Sequence, residues 1–333
     1  MPTRVNHLWR RFSIIAVCAT VNTFVCLKWA NATGSPDTTS TSDRCSLTPR
    51  RERDLLSTEK KIATDTSLAQ QLANTYLKRE QVPALSGEMT LPQGILLQKQ
   101  FVEILTSHLG PVVGYKAGLT NPVAQQRLNV SHPVRGVLLK QMLLDNGAVV
   151  SPNFGARPQF EADLMVRVGD DSINQATTPQ EALAGLDAVI PFIELPDLVY
   201  QSDVKLNAGA LVAINVGARL GVLGQPIPLE ATPEWEQRLG NIQVIMFDDN
   251  GKELARGESS ALLGHPLKAV LWLRDDLKAA GIRLKPGDLL SLGTITPLMP
   301  VQAKTTIRAR YIGLEPQPVE VSVRFSEGMG ERQ

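Results

Sequence analysis

The chain changes texture at Val112, and that change constrains the fold more than any other feature. Before it, apolar residues recur at helical spacing. Ile62, Ala69, Leu72, Ala73, Tyr76 and Leu77 predict one helix within 58–80. Ile95, Leu96, Val102, Leu105 and Leu109 predict the apolar side of a second, starting near Pro92 and stopped by Gly110-Pro111. After Val112 come short β runs separated by Gly, Pro and Asn. Residues 160–168 and 189–195 read as strands, with a helix started by Thr178-Pro179 between them, and 210–216 reads as a third strand. Residues 242–247 and 253–257 flank Asp248-Asp249-Asn250-Gly251, a hairpin turn signal. A helix is predicted over Pro266–Ala279, ended by Gly281, and strands over 289–292, 305–311 and Val319–Phe325. Helices followed by mostly strands predict an α+β class. The division is a helical lead-in over 58–112, a β-rich body over 113–326 and a tail over 327–333.

The first 32 residues read as an address. Arg10-Arg11 precede an apolar stretch over 13–27, followed by Ala30-Asn31-Ala32. That order predicts a secretory signal peptide cleaved after Ala32 and an exported, periplasmic or secreted, mature chain. The apolar stretch is short for a bilayer crossing of about 20 residues, so no stable membrane span is expected after cleavage; the alternative is an N-terminal anchor. Residues 33–57 are Ser/Thr/Pro-rich without apolar period and predict a disordered linker. Charge divides the same way. Of 34 Lys and Arg against 33 Asp and Glu, four basic residues and no acid lie in 1–32, so the rest of the chain carries −3. A slightly acidic body with 5% aromatic residues argues against nucleic acid as a partner. Cys18 and Cys26 fall in the apolar stretch, which leaves Cys45 alone after cleavage and excludes an internal disulfide.

Common catalytic motifs are missing. The four His, at 7, 108, 132 and 265, form no HExxH or His/Cys cluster. Gly257-Glu258-Ser259-Ser260-Ala261 lacks the last Gly of a nucleophile elbow, and GARLGVLG over 217–224 has the wrong spacing for a dinucleotide loop. Acids are more informative. Glu161 and Asp163 are two apart in a strand, so both carboxylates point to one face. Glu194 sits in a second, highly apolar strand. Such acids are costly unless solvated or binding a cation. Two readings therefore stand: an exposed sheet face, or oxygen donors for Mg²⁺ or Mn²⁺. Lys116, between Gly114 and Gly118 in an apolar stretch, is poised either for burial with a lowered pKa or to snorkel from a strand edge.

Six segments go further together. GYKAGLTNPVAQQRLNV (114–130), HPVRGVLL (132–139), PQFEADLMV (158–166), IPFIEL (190–195), LLGHPLKAVLWL (262–273) and PGDLLSLGTITPL (286–298) occur in order. They resemble the 2-keto-4-pentenoate hydratase group of the fumarylacetoacetate hydrolase superfamily, which also includes 4-oxalocrotonate decarboxylases, and the resemblance runs over about 58–325. It implies a mixed β-roll of packed sheets with flanking helices, a homo-oligomer, and Mg²⁺ or Mn²⁺ held by Glu161, Asp163 and Glu194. Lys116 matches the active-site Lys, and Asn215 and Thr294 fall at substrate-binding positions; Arg135 reads either as a partner for a substrate carboxylate or as a surface Arg, and His265 reads better as a helix start. The chain departs from the pattern at Asp163, where Glu is usual, at Ile214, where an acid is usual, and at Arg135, where an aromatic is common. The implied activity is addition of water to a small unsaturated 2-keto acid of the 2-hydroxypenta-2,4-dienoate type through a metal-stabilised enolate. The alternatives are a 4-oxalocrotonate-type decarboxylase and a non-catalytic exported relative that binds a small acid.

Overall fold

The computed structural model describes residues 66–85 and 88–328. The segment predicted to direct export, the predicted linker, Cys45, residues 58–65 of the first predicted helix and the end of the predicted tail lie outside the described residues.

Two sheets organise the body. The larger runs in the order β2 (Val134–Leu139), β1 (Val112–Gly118), β11 (Leu289–Thr294), β5 (Gln159–Val168), β6 (Leu186–Leu195), β7 (Leu220–Leu223) and β3 (Leu143–Asp145). Short β12 (Met299–Pro300) pairs with β5, and β8 (Ile227–Pro228) with β6. The smaller sheet runs β10 (Glu253–Glu258), β9 (Gln243–Phe247), β13 (Thr306–Ile312), β14 (Val319–Phe325) and β4 (Ala148–Val150). Parallel and antiparallel neighbours mix in both. The helices are α1 (66–78), α2 (Leu91–Leu109), α3 (Pro122–Arg127), α4 (Pro179–Ala184), α5 (Ala208–Ala213), α6 (Pro233–Gly240) and α7 (Pro266–Ala279). No helix among the described residues is long and apolar enough to cross a membrane.

Local chemistry accounts for most boundaries. Pro266 opens α7, and His265 Nδ1 accepts from the Leu267 amide at 3.1 Å, so His265 is the helix cap that the sequence suggests. Thr178 and Glu181 cap α4 reciprocally. At the β9–β10 turn, Asp248 Oδ1 accepts from the Asn250 and Lys252 amides, both at 2.9 Å.

Two cores result. In the main one, Leu164, Val166 and Ile193 of the large sheet meet Val244, Ile307 and Val323 of the small sheet and Leu267 and Leu273 of α7. The second joins α1, α2 and α5 to β2 through Leu72, Tyr76, Phe101, Leu105, Val212 and Leu139. The helical lead-in is therefore continuous with the body, sharing a core with it.

Two expectations are corrected. Residues 210–216 are not a strand: α5 covers the first part, and a 3-10 turn, Asn215–Gly217, the rest. A short run that is apolar throughout has no period to separate buried helix from buried strand. On α2, Ile95 and Leu96 are 46% and 59% exposed. The inward stripe is Gly94, Leu97, Gln98, Phe101, Val102 and Leu105, because α2 crosses α5 at Gly94.

Candidate active site

Four neighbouring strands, β1, β11, β5 and β6, bring the predicted acids and lysine together. Pairing sets the register: Lys116 lies beside Ser291, Asp163 beside Thr294, and Glu161 directly opposite Glu194. Alternation along β5 sends Ala162, Leu164 and Val166 into the main core and Glu161 and Asp163 to the other face. Lys116, Glu161, Asp163 and Glu194 are all buried, which excludes the exposed-face reading of the acids.

Lys116 Nζ donates to Glu194 Oε1 and, at 3.1 Å, to the Val216 carbonyl. Its path depends on Gly136 across the β1–β2 ladder, where a Cβ would stand 2.6 Å from Lys116 Cγ. The Val216 carbonyl is aimed by an unusual turn, in which Asn215, Val216 and Gly217 have φ of 57°, 54° and 70°. A β-branched residue seldom takes that left-handed conformation, and such strain gathers at working sites. Asp163 is held by three donors: Oδ1 accepts from the amides of Leu164 and Gly293, and Oδ2 from Ser291 Oγ. The Gly293 amide reaches it at 2.9 Å because β11 bulges there, with Gly293 at φ +111°. The Tyr311 hydroxyl, from the small sheet, lies 2.6 Å from the Asp163 carbonyl and 2.7 Å from that of Phe192, spanning one β5–β6 residue pair.

Electrostatics follow from burial and crowding. Burial, then the facing Glu194 carboxylate, push the Glu161 and Asp163 carboxyls well above the usual range; Lys116 opposes this for both, as does Thr294 for Glu161 and Ser291 for Asp163. Burial pulls the Lys116 ammonium down, but Glu194, Glu161 and Asp163 outweigh it and hold the group above its ordinary value. The sequence-based expectation of a lowered lysine pKa is thus reversed, because burial here comes with three carboxylates.

Of the remaining predicted residues, Thr294 belongs to the site. It lines, with Glu161, a cavity of about 460 Å³ that also takes in Leu119, Thr120, Arg127 and Leu298. Asn215 does not offer its amide to a ligand: Oδ1 accepts from the Val137 amide at 2.7 Å and Gln98 Nε2 at 3.3 Å, and Nδ2 donates to the Val137 carbonyl at 2.8 Å. It fastens the strained turn to β2. Arg135 is also elsewhere. It adjoins Gly136, the partner of Lys116, so the strand's alternation turns it to the opposite face, where Nε donates to Asp276 Oδ2 at 2.6 Å. Ile214 is buried in the second core. Sequence reasoning missed Ser291, Tyr311 and Arg127. A polar Ser between Leu290 and Leu292 in a buried strand was a signal for the first; nothing local marked Tyr311.

Three acids and one lysine share a buried cluster, and every acidic donor is a hard oxygen, which suits a divalent ion. Among the described residues no three His, Cys, Asp or Glu groups converge on one point. Here Glu194 is turned to Lys116 and Asp163 to Ser291 and Gly293. The donor types fit, and the side-chain conformations serve hydrogen bonds.

A two-sheet roll with a lysine and three acids buried on one face defines a class. The chain belongs to the fumarylacetoacetate hydrolase family: the model described as fumarylacetoacetate (FAA) hydrolase C-terminal matches residues 113–322. Within it the chain falls in the 2-keto-4-pentenoate hydratase group. It is 28% identical over 218 residues to the 2-hydroxyhexa-2,4-dienoate hydratase of Comamonas testosteroni, covering 65% of this chain and 80% of that one. It is 27% identical to the 4-oxalocrotonate decarboxylase of Pseudomonas sp. (strain CF600), covering 78% and 96%. Among solved structures, the 4-oxalocrotonate decarboxylase of Pseudomonas putida G7 complexed with magnesium and adipate superposes with a TM-score of 0.70 at 26% identity, covering 79% and 97%.

Proposed function

We propose that the cluster is the centre of a divalent-cation-dependent lyase that adds water to a small unsaturated 2-keto acid of the 2-hydroxypenta-2,4-dienoate type. The observation that carries this is the buried Lys116–Glu194 pair with Glu161 and Asp163 on the same sheet face. The hydratase relatives support the reaction type, and the magnesium in the solved relative supports Mg²⁺, with Mn²⁺ as the alternative.

Glu161, Asp163 and Glu194 are the groups that would hold the ion. When bound, it supplies Lewis-acid stabilisation of negative charge growing on the substrate's 2-oxygen. The chain's own residues do the rest. Lys116, kept protonated at neutral pH by its acidic neighbours, donates a proton to the terminal carbon while the 2-hydroxyl gives its own proton to the acid cluster, so that the 2-hydroxydiene becomes the 2-oxo form and the lysine can be reprotonated. Water oxygen then bonds to the conjugated carbon two places from the 2-oxo carbon, and the carbon between them takes a proton. The proton lost by the attacking water returns to the cluster. Ser291 and the Gly293 amide keep Asp163 in place throughout.

A decarboxylase is the second reading, favoured by the longer match to 4-oxalocrotonate decarboxylase. Purified protein with Mg²⁺ should consume 2-hydroxypenta-2,4-dienoate with product hydration; CO₂ release from 4-oxalocrotonate instead selects the second reading. If neither occurs, the lyase proposal is wrong and a small-acid-binding protein is left. We also propose that the chain is exported, cleaved after Ala32, and forms a homo-oligomer. N-terminal sequencing of fractionated cells and sedimentation of the purified protein test both; an intact cytoplasmic chain or a monomer overturns them.

A further inference from the structure

We propose that Arg127 receives a second, remote carboxylate, so that among unsaturated 2-keto acids the site takes dicarboxylic members in preference to the monocarboxylic 2-hydroxypenta-2,4-dienoate; this rests on the keto-acid reading above. The cavity runs from Glu161, buried on β5, to Arg127, exposed in the last turn of α3. Leu119, Val123 and Leu298 also line it, an apolar wall that suits the hydrocarbon middle of such a molecule. At about 460 Å³ it falls within the range of small-ligand sites, roughly 300–1,000 Å³.

Arg127 is the one cation in this lining, and its guanidinium has no hydrogen bond or ion pair among the described residues. Elsewhere Arg135, Arg167, Arg256 and Arg310 each hold an acid. An unpaired planar fork at the rim of an acid-binding cavity takes a carboxylate through two parallel hydrogen bonds. A monocarboxylic 2-keto acid brings its only carboxylate, next to the 2-oxo group, to the acid–lysine end, and leaves Arg127 with nothing to bind. The only other ionisable group in the lining, Glu161, is at the buried end. α3 contributes no buried residue; the Asn121 cap and Gln125 Nε2 on the Leu119 carbonyl, at 2.8 Å, hold it. Replacing Arg127 therefore leaves both cores untouched.

The test compares wild type with Arg127→Gln, after equal thermal midpoints are verified. Both are titrated calorimetrically with adipate and with hexanoate, which differ in one terminal carboxylate, in the presence of Mg²⁺. Wild type should prefer adipate by roughly tenfold to a hundredfold, the range of a charge-assisted pair, and the variant's ratio should fall close to one. Equal ratios in the two proteins, or no adipate binding at millimolar concentration, overturn the proposal. The titrations need no turnover, so they judge Arg127 even if the lyase reading fails. Turnover of keto acids with an unchanged binding ratio removes the Arg127 assignment alone.

Discussion

Lys116 stands among three buried acids and pairs with one of them, Glu194. Lys116→Ala is expected to abolish turnover and to cost roughly 3 kcal/mol at pH 7, as breaking buried pairs does. The sign of its pH dependence follows from Glu161 and Asp163, whose folded-state pKa values are raised. A raised carboxyl favours the fold at low pH and opposes it as pH rises past its unfolded value. The variant's deficit should therefore shrink toward pH 5 and grow toward pH 8 in urea titrations without divalent ions; a deficit flat across that range would contradict the burial of the acids. Gly136→Ala is a second expectation at this scale. A Cβ there would stand 2.6 Å from Lys116 Cγ and 3.0 Å from the Asn215 carbonyl, so about 1–3 kcal/mol of stability should be lost, together with activity. The acids and the lysine were legible because strand alternation and apolar context single them out. Asn215 and Arg135 make hydrogen bonds within the frame that the sequence did not show, because the direction of an amide or guanidinium depends on partners far along the chain, here Val137, Gln98 and Asp276.

Elements written with their own start signals came through with boundaries close to those expected. α7 begins at Pro266 behind His265, and the β9–β10 hairpin turns at Asp248 to Gly251. The stretch over 210–216, apolar throughout and without such signals, became α5 and a strained turn. Glu161 and Glu194 directly opposite each other on β5 and β6 are a like-charge pair that weakens the ladder. The Tyr311 hydroxyl from β13 reinforces the next pair, Asp163 and Phe192, also accepting from the Phe192 amide at 3.1 Å. Tyr311→Phe should cost about 1–3 kcal/mol by leaving buried backbone groups unmet, and should lower turnover with little change in KM. Steady-state kinetics beside urea titrations check this, and unchanged kcat would mean that the hydroxyl only stabilises.

The whole molecule carries a liability at high pH. Burial pushes the Tyr76 phenol up to about 12, and raises Tyr200 and Tyr311 as well. The fold keeps these groups neutral where the unfolded chain ionises them, near pH 10. Their contribution is complete below that pH and is lost as pH rises toward 12, with Tyr76 alone accounting for about 3 kcal/mol. Phenolate absorbance and circular dichroism should change together above pH 10; ionisation of all three in a native spectrum would contradict their burial. Because Tyr76 and Tyr311 belong to different cores, the loss should be cooperative across both. By itself the sequence determined the α+β class, the helices and strands with strong caps, and the common face of Glu161 and Asp163, all consequences of local periodicity. Only the tertiary structure decided that Glu194 faces Glu161, that Lys116 reaches a residue 78 positions away, and that Asn215 and Arg135 serve the frame. Those facts depend on the order β1-β11-β5-β6 in one sheet, a long-range pairing that no window of neighbouring residues contains.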